Sequence, residues 1–295
     1  MELFNEILQT VLSGISIGCV YGLVALGFVL IFKATEVINF AQGELLMLGA
    51  FISYSLISIL HFPYWAALLV TVIVMGLFGT LLERTVLRSL VGEPVYAIVI
   101  VTIGIAFFLR SAVSMVPGWG TDTYGFQTPF TDRLVRSGEL VISWEYIAIV
   151  LITTILILVL FVFFRFTRVG TAMRATSQNQ LAAVYMGISV TRVFSLSWTI
   201  AAALGGIGGI LLAPITFVHM NMGFIGLKAF PAAVLGGLGS LPGAIVGGLI
   251  IGVTESLAGF YLPEGWKDIA AWIILIGVLV IRPQGLFGIQ EKKKV

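Results

Sequence analysis

The sequence predicts an all-α integral membrane protein, a helical bundle with broken or re-entrant helices and about eight to ten crossings. Of its 295 residues, 59% are hydrophobic and only 10% are charged, and the mean hydropathy is +1.10. Soluble domains carry roughly 25% charged residues, so this chain could not cover a surface in water. Its repeated apolar runs of about 20 residues are long enough to cross a hydrocarbon core roughly 30 Å thick.

Eight apolar runs predict the membrane helices. They are Ile7–Phe32, Gly43–Leu60, Trp65–Leu82, Val95–Val116, Tyr146–Phe164, Val193–Leu212, Ala244–Phe260 and Ile269–Ile281. The first run follows an acidic start and has no small-residue cleavage site after it, so we expect a retained helix rather than a signal peptide. Residues 1–295 are therefore expected to form a single transmembrane domain.

The charges between these runs predict which loops share a face. Arg165–Arg192 contains four arginines and no acid, so the positive-inside rule places it in the cytoplasm. The C-terminal tail, with Arg282 and Lys292–Lys294, points to the same side. Pro117–Glu145 is rich in acids and suits the opposite face.

These assignments require one more element. Three crossings after a cytoplasmic loop would leave the basic tail outside, so a further segment must lie between Ala213 and Ser240. Leu227–Leu238 is apolar, but at about 12 residues it is too short for an ordinary span. We expect a short helix joined to irregular backbone inside the protein, and hence about nine or ten crossings.

Glycine is abundant, with 34 residues, and small residues recur every fourth position in three of the runs. Such faces let helix backbones approach closely in a membrane. The three stripes are Gly14, Gly18 and Gly22; Ala201, Gly205 and Gly209; and Ala244, Gly248 and Gly252. The order of Gly-rich helix, polar break and short helix near residues 14–52 returns near 201–252, a faint echo of the two halves of many transporters.

The polar residues of Ile38–Phe51 are the first candidate for a functional site. Asn39, Gln42 and Glu44 stand between two long apolar runs, where polar side chains normally face a cavity, a pathway or a partner helix. If a helix begins near Val37, the first two share a face, and its free N–H groups could meet an anionic ligand such as a carboxylate.

A structural role explains the same residues. Asn39 and Gln42 would then cap and brace a broken helix, while Glu44 reaches the interface or pairs with Lys33. The pattern alone does not choose between this role and a pathway.

The glycine run Gly236–Gly243 is the second candidate. It lies in a predicted membrane break, where Gly236, Gly237 and Gly239 could form a tight turn or a hinge beside a pathway.

The basic loop supplies the third candidate. Arg174–Ile188 has the pattern of one short amphipathic helix outside the bilayer, suited to docking on a cytoplasmic protein, although a solvated basic loop would look similar. Isolated ionisable residues of the apolar runs are expected near helix ends or, for Glu255, in a pair or a passage; they are Glu83, Arg84, Arg110, Lys228 and Glu255.

Enzyme signatures are missing from the sequence. His61, His219 and Cys19 have no metal-site spacing, and no phosphate-binding GxxxxGK[ST] loop occurs. We therefore expect no catalytic residue, no metal and no cofactor in this chain.

Three ordered blocks resemble one family. Tyr21–Phe51, Arg168–Val193 and Lys228–Gly252 resemble the N-terminal signature, the cytoplasmic coupling segment and the C-terminal signature of LivH-type permeases of branched-chain amino acid ABC importers. The chain departs from the family pattern at Gln42, where histidine is usual, and in the polar run Ser177–Asn179, where an acid is commoner.

The resemblance implies a multi-subunit importer in a bacterial inner membrane, without ATP hydrolysis by this chain. Its expected partners are a homologous second permease, two cytoplasmic ATPases that use ATP, and an external solute-binding protein. It also implies that the coupling segment (residues 165–192) receives the ATPase through Arg174, Ala175, Asn179, Ala182, Ala183 and Gly187.

Two alternatives stay open. Permeases for urea and short amides share the same blocks, and an autonomous channel or ion-coupled carrier would need no partner.

Overall fold

A computed structural model describes residues 2–137, 140–263 and 265–288 and confirms a helical membrane bundle. Each of the eight predicted apolar runs corresponds to a helix, although Leu60 and Val116 lie one residue beyond the helical segments that contain the rest of their runs. The helices are α1 (Glu2–Thr35), α2 (Gln42–Tyr54), α3 (Tyr64–Thr85), α4 (Val95–Met115), α5 (Trp144–Phe166), α6 (Arg168–Gln178), α7 (Gln180–Tyr185), α8 (Val190–Thr216), α9 (Met222–Leu227), α10 (Ala229–Gly236), α11 (Leu241–Tyr261) and α12 (Trp266–Ile281). Lys292–Lys294, on which the sidedness of the tail partly depends, lie outside the described residues.

Within the described ranges, seven helices are long and apolar enough to cross a membrane: α1, α2 with the π-helical turn Ser55–Ile59 that extends it, α3, α4, α5, α8 and α11. α12 is apolar but has 16 residues. The predicted extra element is present as the short pair α9 and α10, which together form an apolar stretch over Met222–Gly236. Both helices are largely buried in the protein. Burial is expected here, because the irregular backbone at the ends of such short helices cannot face lipid.

The centre of the bundle is built by α1, α2 and α8, the most buried of the long helices. α1 packs along α11, where a methyl group at Gly248 would collide with the backbone of Gly22 and one at Gly252 with that of Gly18. The predicted small-residue faces of these two helices therefore meet each other. Close backbone contact lets dispersion forces hold helices that no hydrophobic effect drives together in lipid.

The remaining glycine stripe packs α8 against α2. A methyl group at Gly209 would collide with the backbone of Leu46 and Ala50, and one at Gly49 with that of Gly206. The three small-residue stripes thus lie in two tight helix pairs, α1 with α11 and α2 with α8.

The outer helices carry the exposed apolar surface. α3, α4 and α5 are mostly exposed along their spans, and α4 presents Phe107 and Phe108 with two thirds or more of their surface uncovered (66% and 70%). Large apolar side chains without cover suit contact with lipid or with another apolar protein face. The loop after α4 adds a small antiparallel hairpin of β1 (Leu134–Ser137) and β2 (Leu140–Ser143), with Leu134 opposite Ser143.

Contacts between loops define two ends of the bundle. Gln180 of α7 bonds to Ala34 at the end of α1, so the coupling loop and the α1–α2 connection share one end. At the other end, Tyr124 and Val218 form a β-bridge that joins the loop after α4 to the segment after α8.

Candidate functional site

The predicted polar stretch is a break between two helices. α1 ends at Thr35 and α2 begins at Gln42, so Asn39 precedes the second helix. Glu36 has a φ of 59°, a left-handed conformation that a right-handed helix cannot continue through. The condition for a shared helix face, a helix that begins near Val37, is therefore not met, and Asn39 lies before the helix that contains Gln42.

The two amides nevertheless touch and brace the break. Asn39 Oδ1 accepts a hydrogen bond from Ala41 N at 3.0 Å, and Asn39 Nδ2 donates one to Gln42 Oε1 at 3.3 Å. Gln42 Nε2 in turn donates to the Ala201 oxygen of α8 at 2.9 Å. Both side chains are fully buried. Buried amides need such partners, so these contacts match the structural role that the sequence left open.

Glu44 has a different partner from the one expected. Its Oε1 accepts a hydrogen bond from Arg110 Nη2 of α4, so Glu44 adopts neither of the two alternatives considered for it, a position at the interface or a pair with Lys33. The Arg110 guanidinium also lies over the Phe224 ring of α9, 4.0 Å from the centroid. The arginine therefore ties α4 to the starts of α2 and α9.

Two clefts flank the break. The first, which we call the Arg110 cleft, has a volume of about 160 Å³. Its lining residues are Phe40, Glu44, Ile103, Ala106, Phe107, Arg110, Gly223, Phe224 and Leu227. The second, the Asn39 cleft, has a volume of about 150 Å³ and lies on the side of the coupling loop, since Gln180 lines it. Its polar lining residues are Thr35, Glu36, Asn39, Glu83, Glu93, Thr102 and Gln180.

Phe40 stands where the two clefts approach each other. It lines the Arg110 cleft, whereas its neighbour Asn39 lines the other. On α4, Thr102 likewise lines the Asn39 cleft, whereas its neighbour Ile103 lines the Arg110 cleft. The Phe40 N–H donates a hydrogen bond to Thr102 Oγ1 at 3.3 Å. The Phe40 ring packs beside that of Phe230 with 5.7 Å between centroids. The neighbouring residues Asn39 and Phe40 on the irregular backbone therefore line different clefts.

The glycine run after α10 forms a tight turn. Gly237 has a φ of 98°, which favours glycine, and Ser240 Oγ caps α11 by accepting from Gly243 N at 3.1 Å. Gly236 packs directly on the backbone of Gly243, while Gly239 has open space around it. These glycines line neither cleft, so the structure does not bring them together with Asn39, Gln42 and Glu44.

The coupling loop contains two helices rather than the one expected. α6 ends at Gln178 and α7 begins at Gln180, because Asn179 adopts an extended conformation and caps α7 by accepting from Ala182 N at 2.9 Å. Gly187, with a φ of 80°, ends this segment. Ala183 is buried beneath it, whereas Arg174 is exposed and Ala175 partly so.

α7 combines an exposed apolar surface with a link to the break. Leu181, Tyr185 and Met186 are strongly exposed, the last two at 87% and 82%. Gln180 Nε2 of the same helix donates to the Ala34 oxygen of α1 at 3.1 Å, one residue before that helix ends. This hydrogen bond connects α7 directly to the last turn of α1.

Of the remaining ionisable residues of the apolar runs, Glu83, Lys228 and Glu255 form ion pairs, whereas Arg84 is exposed. Glu255 accepts from Tyr21 Oη at 2.6 Å and from Lys228 Nζ at 2.7 Å, which confirms pairing as one of its two expected roles. Glu83 accepts from Arg88 and from Ser195 Oγ, each at 2.8 Å. Both networks join helices that are distant in sequence.

Comparison with known proteins identifies the family. The family model described as "Branched-chain amino acid transport system / permease component" matches residues 10–279. The chain belongs to this family. As a member of this permease family with seven apolar candidate spans among its described residues, it is a multi-pass membrane protein.

Curated members of this permease family match nearly end to end. The "High-affinity branched-chain amino acid transport system permease protein LivH" of Salmonella typhimurium is 33% identical over 100% of this chain and 99% of its own. The corresponding BraD of Pseudomonas aeruginosa is 33% identical over 98% of each chain. A probable LivH of Methanocaldococcus jannaschii is 28% identical over 92% of this chain and 89% of its own. No solved structure matches the chain.

Two parts of the candidate site were missed by the sequence reasoning. Arg110 had been singled out as an isolated charge, but nothing in the sequence linked it to Glu44, which lies 66 positions away. Phe40 sits within the stretch already singled out, yet an aromatic residue among apolar neighbours gives no signal of its position between two clefts.

Proposed function

We propose that this chain is the permease subunit of an ABC importer that carries branched-chain amino acids across a bacterial inner membrane. The observation that carries the proposal is end-to-end similarity to LivH and BraD, whose names state this transport system. The family match makes a transport role firm, while the cargo rests on these relatives.

The route would follow the α1–α2 break. The Arg110 cleft and the Asn39 cleft both adjoin this break, the first through Phe40 and the second through Asn39. Movement of Phe40 with the irregular backbone around it would open one cleft to the other. Non-helical backbone at membrane depth is typical of such sites because it lines a cavity and can change conformation at low cost.

Partner subunits would supply the rest of the machine. α7 offers a compact exposed apolar surface on which one of the two ATPases, the subunits that use ATP, would dock. The exposed Phe107 and Phe108 of α4 lie beside the Arg110 cleft and suit a second, homologous permease. An external solute-binding protein would dock at the opposite end, where Tyr124 meets Val218.

The contacts between loops support about nine crossings, with the C-terminus in the cytoplasm. The arginines of the coupling loop place it inside, and Gln180 then fixes the end of α1 on that side. Alternation through α2, α3, α4, α5 and α8 brings the chain outside after Thr216. The α9–α10 pair returns it, and α11 and α12 finish with Arg282 inside.

The test is reconstitution of the complete complex in liposomes. We expect leucine uptake that requires ATP, the ATPases and the binding protein, and that unlabelled isoleucine or valine suppresses. Omission of each partner in turn is the control.

Two other results would replace the proposal. Uptake by this chain alone would indicate an autonomous channel or carrier. ATP-dependent uptake of urea or acetamide, without uptake of leucine, would identify a urea or short-amide permease.

A further inference from the structure

Three buried carboxylates of the described residues differ in their hydrogen bonding: in two of them both oxygens have a partner, and in the third only one oxygen does. Glu83 and Glu255 each have hydrogen-bond partners on both carboxylate oxygens. Glu44 is equally buried, at 4% exposed, but its Oε2 has no partner among the described residues. A buried carboxylate oxygen without a hydrogen bond destabilises the fold. A ligand that donates a hydrogen bond to this oxygen would remove that cost.

The partner of Glu44 has the same incomplete bonding. Arg110 Nε is buried and has no hydrogen-bond partner within the described ranges. The guanidinium is held in place by the Phe224 ring on one side and by Glu44 on the other. Its position is therefore fixed before any ligand arrives, which lowers the entropy cost of binding.

The cleft that both residues line is apolar elsewhere. Its walls are Phe40, Ile103, Ala106, Phe107, Phe224 and Leu227, with the backbone of Gly223. The volume of about 160 Å³ is far above the ~10–15 Å³ that one water needs, so a small molecule can enter. A fixed cation, a fixed anion and an aliphatic or aromatic wall thus meet in one cavity.

We propose that Glu44 and Arg110 bind the charged head group of a zwitterionic, aliphatic α-amino acid on its way through the permease. The substrate carboxylate bonds to Arg110, the substrate ammonium bonds to Glu44, and the aliphatic side chain lies against the apolar wall. The inference rests on the proposed function and adds the residues that recognise its cargo.

Charge balance favours this ligand over a simple ion. The pair is neutral as a unit, and a zwitterion gives each of its two side chains a second partner of opposite charge while adding no net charge to the cleft. A lone anion would instead add one uncompensated negative charge beside Glu44, and a lone cation would add one uncompensated positive charge beside Arg110. An unpaired charge in a low-dielectric site is strongly unfavourable, so the site selects molecules that carry both charges.

The test is binding to the permease–ATPase complex in lipid nanodiscs without the binding protein, with three related ligands. Leucine has both charges, leucinamide keeps the ammonium, and 4-methylpentanoate keeps the carboxylate. We expect Glu44→Gln to weaken leucine roughly tenfold while binding of 4-methylpentanoate is retained or strengthened. Arg110→Gln should weaken leucine similarly while leucinamide is retained or strengthened.

Because each variant should lose affinity for leucine but retain one singly charged ligand, the experiment distinguishes loss of recognition from damage to the fold. A variant that only loosens the bundle weakens all three ligands together, and that result would overturn the inference. Glu255→Gln is the matched control, because it neutralises a buried carboxylate that lies outside the clefts, and it should leave all three dissociation constants unchanged. The double variant Glu44→Gln/Arg110→Gln leaves no uncompensated charge and should still fail to bind leucine.

The two proposals fail in different ways. Absence of ATP-driven leucine uptake by the complete wild-type complex would reject the proposed function and this inference with it. Normal wild-type uptake, together with leucine binding that neither variant alters, would reject this inference alone.

Discussion

Gln180 of the second coupling helix donates its side-chain amide to the backbone oxygen of Ala34, 3.1 Å away in the last turn of α1. Ala34 lies just before the break that carries Asn39 and Gln42. This bond joins the surface proposed to receive the ATPase to the irregular backbone proposed to open.

Loss of this bond should uncouple transport from ATP hydrolysis. We expect Gln180→Ala to lower the amount of leucine transported per ATP by several-fold while the ATPases still copurify, since the exposed apolar surface of α7 is unchanged. Gln178→Ala, at an exposed glutamine that ends α6, is the control. An unaltered transport-to-ATP ratio in Gln180→Ala would show that the force travels elsewhere.

The bracing role of Asn39 predicts a loss of stability. Asn39→Leu removes the acceptor of Ala41 N and the partner of Gln42, and a buried group left without a hydrogen bond costs about 1–3 kcal/mol. The thermal midpoint in detergent should therefore fall, together with uptake. Asn221→Leu, at an exposed asparagine whose side chain makes no capping bond, should change neither. Equal midpoints for both variants would contradict the bracing role.

The contact between α1 and α11 predicts a sharp difference between two glycines. Gly248→Ala would push a methyl group into the backbone of Gly22, whereas Gly104→Ala on α4 meets nothing within 4 Å. Overpacking of this kind costs about 1–3 kcal/mol, while alanine in an open helix position is neutral or favourable. We expect Gly248→Ala alone to lower the yield of monodisperse protein and its thermal midpoint.

The exposed side chains of α7 predict a docking surface. Tyr185→Ser with Met186→Ser would remove two apolar side chains that are more than four fifths exposed. We expect copurification of the ATPase subunits to fall at least several-fold, with membrane insertion preserved. Leu134→Ser removes an exposed apolar residue from β1 and serves as the control. Retention of the ATPases by the double variant would place the docking surface elsewhere.

The proposed sidedness predicts opposite labelling of two loops. Cys19 is the sole cysteine of the sequence and is buried, so single introduced cysteines can be followed. A membrane-impermeant maleimide should label Leu134→Cys in intact spheroplasts, and Gln178→Cys only after the membrane is opened. Labelling of both positions in intact spheroplasts would contradict the assignment of the coupling loop to the cytoplasm.

Much of the fold was predictable because membrane helices obey local rules. Apolar runs such as Val95–Val116 mark their own ends, and the observed α4 ends within one residue of that prediction. The stripe Gly14, Gly18 and Gly22 likewise predicted a close helix contact, because small residues have that effect whatever their partner. The sequence did not show which helix this stripe contacts, and the tertiary structure shows that it is α11.

Errors arose where a side chain has a choice of distant partners. The sequence offered Lys33 to Glu44, but α4 brings Arg110 to it instead. For Asn39 the sequence left a shared helix face and a bracing role open, and the hydrogen bond from Ala41 N to its side chain shows that it braces the irregular segment before α2. In the coupling loop, the Asn179 side chain accepts a hydrogen bond from Ala182 N and caps α7, so the one expected helix is divided into α6 and α7.

By itself, the sequence determined that the protein is a membrane protein, where its long helices lie and to which permease family it belongs, because hydropathy and motif order are properties of local residues. The tertiary structure alone decided which buried charges meet, where two clefts approach one break, and that Glu44 keeps an unpaired oxygen. Those features depend on contacts such as Gln42 with Ala201 and Glu44 with Arg110, whose members are far apart in the chain. Their spacing in sequence carries no information about distance, since only the packing of the helices sets it.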